Sequence, residues 1–161
     1  MAINKKKVLA VILARGGSKG IRLKNIVDLA SNPLISYTIE AAKNSKYVDE
    51  IIVSTDNKKI AKTAIEYGAQ VPFFREKKLS GDLTTSVDAL YDAVFRYQKL
   101  KDCFYDFIIE LPCVSPFRGP NHVDETLEIL SKNYRNKIDS VTAYVNTGEK
   151  HPTRLKRINK N

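Results

Sequence analysis

The sequence predicts an α/β protein: a three-layer, doubly wound, mostly parallel sheet with helices on both faces. Two observations carry this. Short apolar runs alternate along the chain with segments whose apolar residues recur at spacings of three and four. The apolar runs are also continuous and rich in β-branched residues, as in strands buried on both faces. Such sheets bind their ligands beyond the carboxyl ends of the strands, so the loops there are where function is sought.

Val8–Ala14 reads as the first buried strand, followed by a glycine-rich loop. Asn32-Pro33 marks a helix start with Pro33 at its first position, and Leu34 to about Lys43 carries it. Glu50–Ser54 is a second strand. Asp56 is placed to cap a helix from Lys58 to Tyr67, and Gly68 to stop it. Val71–Phe74 is a third strand, interrupted by Pro72 and therefore at an edge. Thr85 or Ser86 caps an amphipathic helix through Val87, Leu90, Tyr91, Val94, Tyr97 and Leu100. Phe107–Leu111 is a strand, Pro120 opens a helix toward Asn133, and Ser140–Val145 is a last strand.

The loop after the first strand holds Gly16, Gly17 and Gly20, threaded by Arg15, Lys19, Arg22 and Lys24. Glycine lets backbone N–H groups come close to an anion, and the cations add charge-assisted hydrogen bonds. G-G-S-K-G fits neither the Walker pattern nor the dinucleotide fingerprint. Spacing alone leaves two readings open, a phosphate nest or a plain strand-to-helix turn with solvated lysines.

Composition narrows the classes. The chain has 161 residues, enough for one domain with a real core, and 43% of them are hydrophobic. No apolar run approaches the roughly 20 residues of a membrane helix. The apolar stretch after the basic N-terminus runs straight into Arg15 and Lys19, which suits a core strand better than a leader. Cys103 and Cys113 have no metal or redox spacing and read as reduced, cytoplasmic thiols. The formal charge is 27 − 18 = +9. The cations are scattered apart from Lys5–Lys7 and the tail Lys150 to Lys160, with no aromatic-interleaved stripe. Nucleic acid is therefore a poorer partner than a small anionic substrate.

I-L-A-R-G-G-S-K-G-I-R-L-K-N, ending at Asn25, resembles the signature of the acylneuraminate cytidylyltransferase (CMP-N-acetylneuraminate synthetase) family. I-I-V-S-T-D at Ile51–Asp56, R-E-K-K-L-S-G-D-L-T-T-S at Arg75–Ser86, S-P-F-R at Ser115–Arg118 and H-P-T-R at His151–Arg154 follow in that family's order. The resemblance implies a nucleotide-diphospho-sugar transferase-like Rossmann-type fold. It implies that a nine-carbon 2-keto acid sugar is activated by CTP to a CMP-sugar and pyrophosphate, with Mg2+ assisting. It also implies site residues. Arg15, Lys19 and Lys24 would act on the triphosphate and the reacting phosphate, backbone groups at Gly16, Gly17 and Ser18 would complete the nest, and Asn25, Arg75 and Ser86 would read the cytidine. For Asp56 and Asp82, capping or turn formation is the expected role, and His151 reads as structural.

The sequence departs from the family pattern in three places. Arg22 stands where the signature usually has proline. Pro112-Cys113-Val114 replaces a Q-P-T, so the glutamine that the family uses on the sugar is absent. The chain ends at Asn161, before the family's dimerisation segment, further sugar-binding positions and aspartate-rich metal motif. The expectation is a single nucleotide-binding domain over 1–161, truncated relative to the family, with metal ligands unassigned and homodimerisation expected only through the resemblance. Two alternatives stand beside it: a non-catalytic CTP-binding or interaction domain, and a CMP-Kdo synthetase-like enzyme, which the L-A-R-G-G-S-K-G pattern opposes.

Overall fold

The structure is a computed structural model of the chain and describes residues 3, 6–136 and 138–143. Three parallel strands form the central sheet: β1 (Val8–Leu13), β4 (Glu50–Ser54) and β5 (Phe107–Glu110), in the order β4-β1-β5. The register pairs Ala10 with Ile51 on one side of β1 and with Ile109 on the other. The central position of β1 explains its uninterrupted apolar sequence. Side chains alternate across a strand, so both of its faces need apolar cover.

The two faces are covered differently. Val8, Ala10 and Ile12 join a core with Ile35 and Ile39 of α1 (Leu34–Lys43), Ile60 and Ala64 of α2 (Lys58–Glu66), and Val123 and Leu127 of α4 (Pro120–Asn133). Leu9 and Val11 pack on the opposite face against Ala93 and Tyr97 of α3 (Ser86–Lys101) and Tyr105. Three layers result, as expected.

The local differences have identifiable causes. Pro33 is the N-cap of α1 rather than its first residue. It belongs to a small antiparallel hairpin, β2 (Asp28–Leu29) with β3 (Asn32–Pro33). The turn holds Ala30 and Ser31 at positive φ, 52° and 69°, the backbone that a two-residue hairpin demands but that these residues do not advertise. The Asp28 carboxylate accepts from Ser31 N at 3.2 Å, and the Tyr37 hydroxyl donates to Leu29 O. Asn57, not Asp56, caps α2, accepting from Lys59 N and Ile60 N. Gly68 ends that helix with φ 95°, as its position requires. Thr85 caps α3 through Asp88 N, which makes Ser86 the first helical residue.

Val71–Phe74 lies at the outer edge of β4 but forms no strand. Two isolated bridges, Ile52 with Gln70 and Thr55 with Phe74, flank it. Pro72, between them, has no N–H to continue the ladder. Residues 140–143 carry no regular structure, while the rest of the Ser140–Val145 strand and the His151–Arg154 motif lie outside the described residues. Both cysteines are free thiols, Cys113 buried and Cys103 half-buried. Among the described residues no helix is long and apolar enough to cross a membrane.

At the amino end of β4, Glu50 gathers donors from three elements. It accepts from the Tyr97 hydroxyl, from the Tyr105 hydroxyl at 2.7 Å and from Gln70 Nε2 at 3.0 Å, and pairs with Lys101 at 3.3 Å. Burial pushes this carboxyl up, but the hydrogen bonds outweigh it and hold its pKa at about 2 against an ordinary 4.5. A pKa depressed by folding stabilises the fold above the ordinary value, and the contribution is lost as pH falls from 4.5 toward 2. After allowance for partial solvent screening it is worth roughly 2 kcal/mol. Between pH 6 and pH 3 the urea midpoint of the native sequence should fall further than that of Glu50→Gln; parallel pH profiles would contradict this role.

Candidate functional site

Beyond the carboxyl ends of β1 and β5, the glycine-rich loop forms one wall of a cleft of about 430 Å³. Arg15, Ser18, Lys19, Lys24 and Asn25 lie on that wall. Glu110, Pro112, Cys113 and Val114 form the facing one. Five of the nine residues singled out in the sequence thus meet in one place, and three of them are cations.

The loop is braced from within. Asn25 is buried, and its Nδ2 donates to Arg15 O at 3.0 Å, tying the two ends of the loop together. Ala14 N donates to Ser54 O at 3.0 Å, so the loop departs from a fixed strand end. Gly16 is required sterically. A Cβ there would lie 2.9 Å from Asn57 Cβ, inside the contact distance of carbon atoms. Its N–H donates to Asp56 Oδ1 at 2.7 Å. Gly17 has nothing within 4 Å of a notional Cβ. Of the three expected nest donors, Gly16 N is given to Asp56 and Ser18 N to Gly16 O, which leaves Gly17 N without a partner among the described residues.

Arg15 reaches across to the segment before α3. Its Nη1 donates to Gly81 O at 2.8 Å, and its Nη2 pairs with Asp82 Oδ1 at 3.0 Å. Lys19 pairs with the other oxygen of Asp82 at 2.8 Å. The Lys19 hydrogen bond holds the Asp82 carboxyl below its ordinary range against the opposing effect of burial, and Arg15 adds smaller lowering effects. Asp82 is therefore the counter-ion that collects both cations, not merely a turn former. Asp56 is likewise a loop acceptor rather than a helix cap. Both corrections depend on contacts more than 35 residues apart in the chain, where local turn rules have no reach.

Arg75 and Ser86 are not on the walls of the cleft. Arg75 is 6% exposed, a buried arginine rather than a surface one. Its Nε donates to Ser54 Oγ at 3.0 Å and its Nη2 to Ser54 O at 2.6 Å. Burial pushes its pKa down, with Asp56 opposing and Arg15 adding to the shift. Its hydrogen-bond partner is thus the end of β4, the strand end that also receives Ala14 N. Ser86 is exposed at the start of α3.

Glu110 was not singled out from the sequence, although a carboxylate ending the apolar run F-I-I-E was a visible signal. Burial pushes the facing Cys113 thiol up to about 12, so it is a neutral wall residue rather than a nucleophile.

Several known proteins are similar to this chain. The CMP-N,N'-diacetyllegionaminic acid synthase of Legionella pneumophila is 43% identical over 123 residues, covering 76% of this chain and 53% of the relative. A pseudaminic acid cytidylyltransferase of Campylobacter jejuni is 38% identical over 138 residues, 86% of this chain and 59% of the relative. The N-acylneuraminate cytidylyltransferase A of Danio rerio is 36% identical over 155 residues, 96% of this chain and 33% of the relative. This chain spans about half the length of the bacterial relatives. Among solved structures, a CMP:2-keto-3-deoxy-manno-octonic acid synthetase complexed with CTP superposes with a TM-score of 0.66. It is 23% identical and covers 80% of this chain and 48% of that one, a likeness of fold. Residues 9–160 match the family model described as cytidylyltransferase, a span that contains the whole cleft, and the chain belongs to that family.

Proposed function

We propose that the cleft binds CTP and that this chain carries the nucleotide half of the site of a CMP-nonulosonic acid synthetase. The observation that carries the reading is the convergence of Arg15, Lys19 and Lys24 on one cleft at the carboxyl ends of a parallel sheet. Preorganised cations of this kind stabilise charge on phosphoryl oxygens, which is most of what phosphoryl transfer asks of a protein. In the proposed reaction the anomeric hydroxyl oxygen of a nine-carbon 2-keto acid sugar forms a bond to the α-phosphorus. The bond from that phosphorus to the bridging oxygen breaks, pyrophosphate leaves with the electron pair, and the hydroxyl proton passes to water. Arg15 would stabilise charge at the reacting phosphate, and Lys19 and Lys24 the charge that accumulates on the departing pyrophosphate. A triphosphate would compete with Asp82 for Arg15 and Lys19. Asn25 would hold the loop closed, while Arg75 and Ser86 are proposed to read the cytidine.

Magnesium belongs to this proposal as a family expectation. When bound it would neutralise phosphate charge. The described residues do not by themselves fit it: no group of three metal-binding side chains comes together among them, and Asp82 is held by two cations. Glu110 is the one carboxylate on the cleft wall. No step is assigned to the metal. A cytoplasmic setting and homodimerisation are part of the same proposal.

The test couples calorimetric CTP binding to pyrophosphate release with a panel of nonulosonic acids and Kdo. CTP binding with release dependent on a nonulosonic acid is the expected result. Binding without release from any acid would assign the chain to the non-catalytic alternative, and release with Kdo alone to a CMP-Kdo synthetase-like enzyme. Failure to bind CTP would remove the reading altogether.

A further inference from the structure

Among the described residues, α2 and α4 each expose one large apolar side chain, Ile65 and Ile129, as any surface helix does. α3 differs. Val87, Tyr91 and Phe95 are 69%, 71% and 55% exposed. They recur every fourth residue and so form one stripe along the helix, while Ala89, Ala93 and Tyr97 are its buried residues. The Tyr91 and Phe95 rings stack, with centroids 6.1 Å apart and planes within 9°. The middle of the stripe is therefore a flat aromatic surface open to solvent. A contiguous apolar stripe of this kind, rich in aromatic rings and bordered by charge, has the anatomy of a contact surface.

The charges beside the stripe say what covers it. Asp88 and Lys99 are both exposed. They are eleven positions apart (99 − 88 = 11), close to three helical turns, so both lie on one flank of the stripe. Asp88 precedes the midpoint between Tyr91 and Phe95, and Lys99 follows it. A two-fold axis through that midpoint, perpendicular to the helix, brings each flank against the same flank of a second copy with its direction reversed. Tyr91 of one copy then meets Phe95 of the other, and Asp88 of each copy stands beside Lys99 of the other. The stripe is thus complementary to itself in both its apolar centre and its charged ends, as an isologous contact requires. We propose that α3 is a homodimer contact, in which two copies of this chain meet antiparallel, helix on helix. The contact covers about three turns of one helix, at the small end of specific interfaces, under about 1,200 Å². Association is therefore reversible, with a dissociation constant on the order of micromolar. The contact uses no residue of the cleft, needs no segment beyond Asn161, and holds whether or not the CTP reading does.

Sedimentation equilibrium of the chain from about 5 to about 500 µM tests this, a range that brackets the association expected of so small an interface. A monomer–dimer equilibrium is the expected result. Tyr91→Ser/Phe95→Ser should be monomeric throughout, with an unchanged unfolding midpoint because both rings are exposed in the single chain. Asp88→Lys and Lys99→Asp should each weaken association about tenfold, since two like-charge pairs replace two opposite ones. Combined in one chain, the two reversals should restore association to within about threefold of the native value, because the pairs are then re-formed with signs exchanged. The unfolding midpoint of each variant separates loss of contact from loss of fold, and Lys99→Asp, which touches no helix cap, keeps the charge arm readable. A native chain that stays monomeric leaves the stripe to another occupant and overturns the proposal. So does a dimer that survives Tyr91→Ser/Phe95→Ser, or one that the combined reversal fails to rescue, since its contact then lies elsewhere or in another register.

Discussion

Arg15→Ala is expected to slow pyrophosphate release from CTP by roughly 10²–10³-fold, the range seen when one preorganised donor to a developing charge is removed. The effect on CTP affinity should be much smaller, within about tenfold, because the interaction strengthens as charge moves onto the reacting phosphate. The structure adds a reason for the asymmetry. The Arg15 guanidinium is already committed to Gly81 O and Asp82, so part of what it gains from bound CTP is offset by what it gives up there. Removing Arg15 also leaves Lys19 as the sole cation on Asp82 among the described residues. Stopped-flow release beside calorimetry separates the two quantities. A variant that binds CTP poorly but turns over normally once saturated would show that Arg15 is only a binding group.

Arg75→Ala is expected to destabilise the fold by about 2–3 kcal/mol, the cost of removing a buried, charge-assisted hydrogen-bond partner. The side chain holds Ser54 by both its hydroxyl and its carbonyl. The same Ser54 carbonyl receives Ala14 N, where the glycine-rich loop begins. Loss of Arg75 therefore loosens the junction of β1, β4 and the loop together. Arg75→Lys should recover little, since an ammonium lacks the planar fork that reaches two acceptors of one residue. Denaturant unfolding reads the loss, and an unchanged midpoint in Arg75→Ala would refute it. If Arg75 also reads the cytidine, discrimination between CTP and UTP should fall in Arg75→Lys under conditions where that variant is fully folded.

Legibility along the chain followed the range of the interactions. The helix from Pro120 to Asn133 and the strand at Glu50–Ser54 have the bounds expected, because apolar periodicity and a proline at the first helical position are local signals. The β2–β3 hairpin was not legible. Its turn is built from Ala30 and Ser31 at positive φ, and the sequence has no Asn-Gly or Asp-Gly there to signal it. The edge segment at Val71–Phe74 was read at the right place but as too regular an element, since Pro72 breaks the ladder between its two bridges.

The candidate site divides in the same way. Its cationic loop, the order of its motifs and its place at the carboxyl end of a parallel sheet were legible in the sequence, because strand and turn signals are local; spacing alone left open whether the loop is a phosphate nest or a plain turn with solvated lysines. The tertiary structure decided which partner each charged group takes. It brings Asp82 to Arg15 and Lys19, gives Asp56 to Gly16, buries Arg75 on Ser54, and sets Glu110 on the wall of the cleft. Most of these partners are separated by 20 to 90 residues of chain, and electrostatic and hydrogen-bonding energies depend on distance in space. Sequence patterns report local conformation and burial. Which charges meet is fixed only when the loops at one end of the sheet are folded against one another.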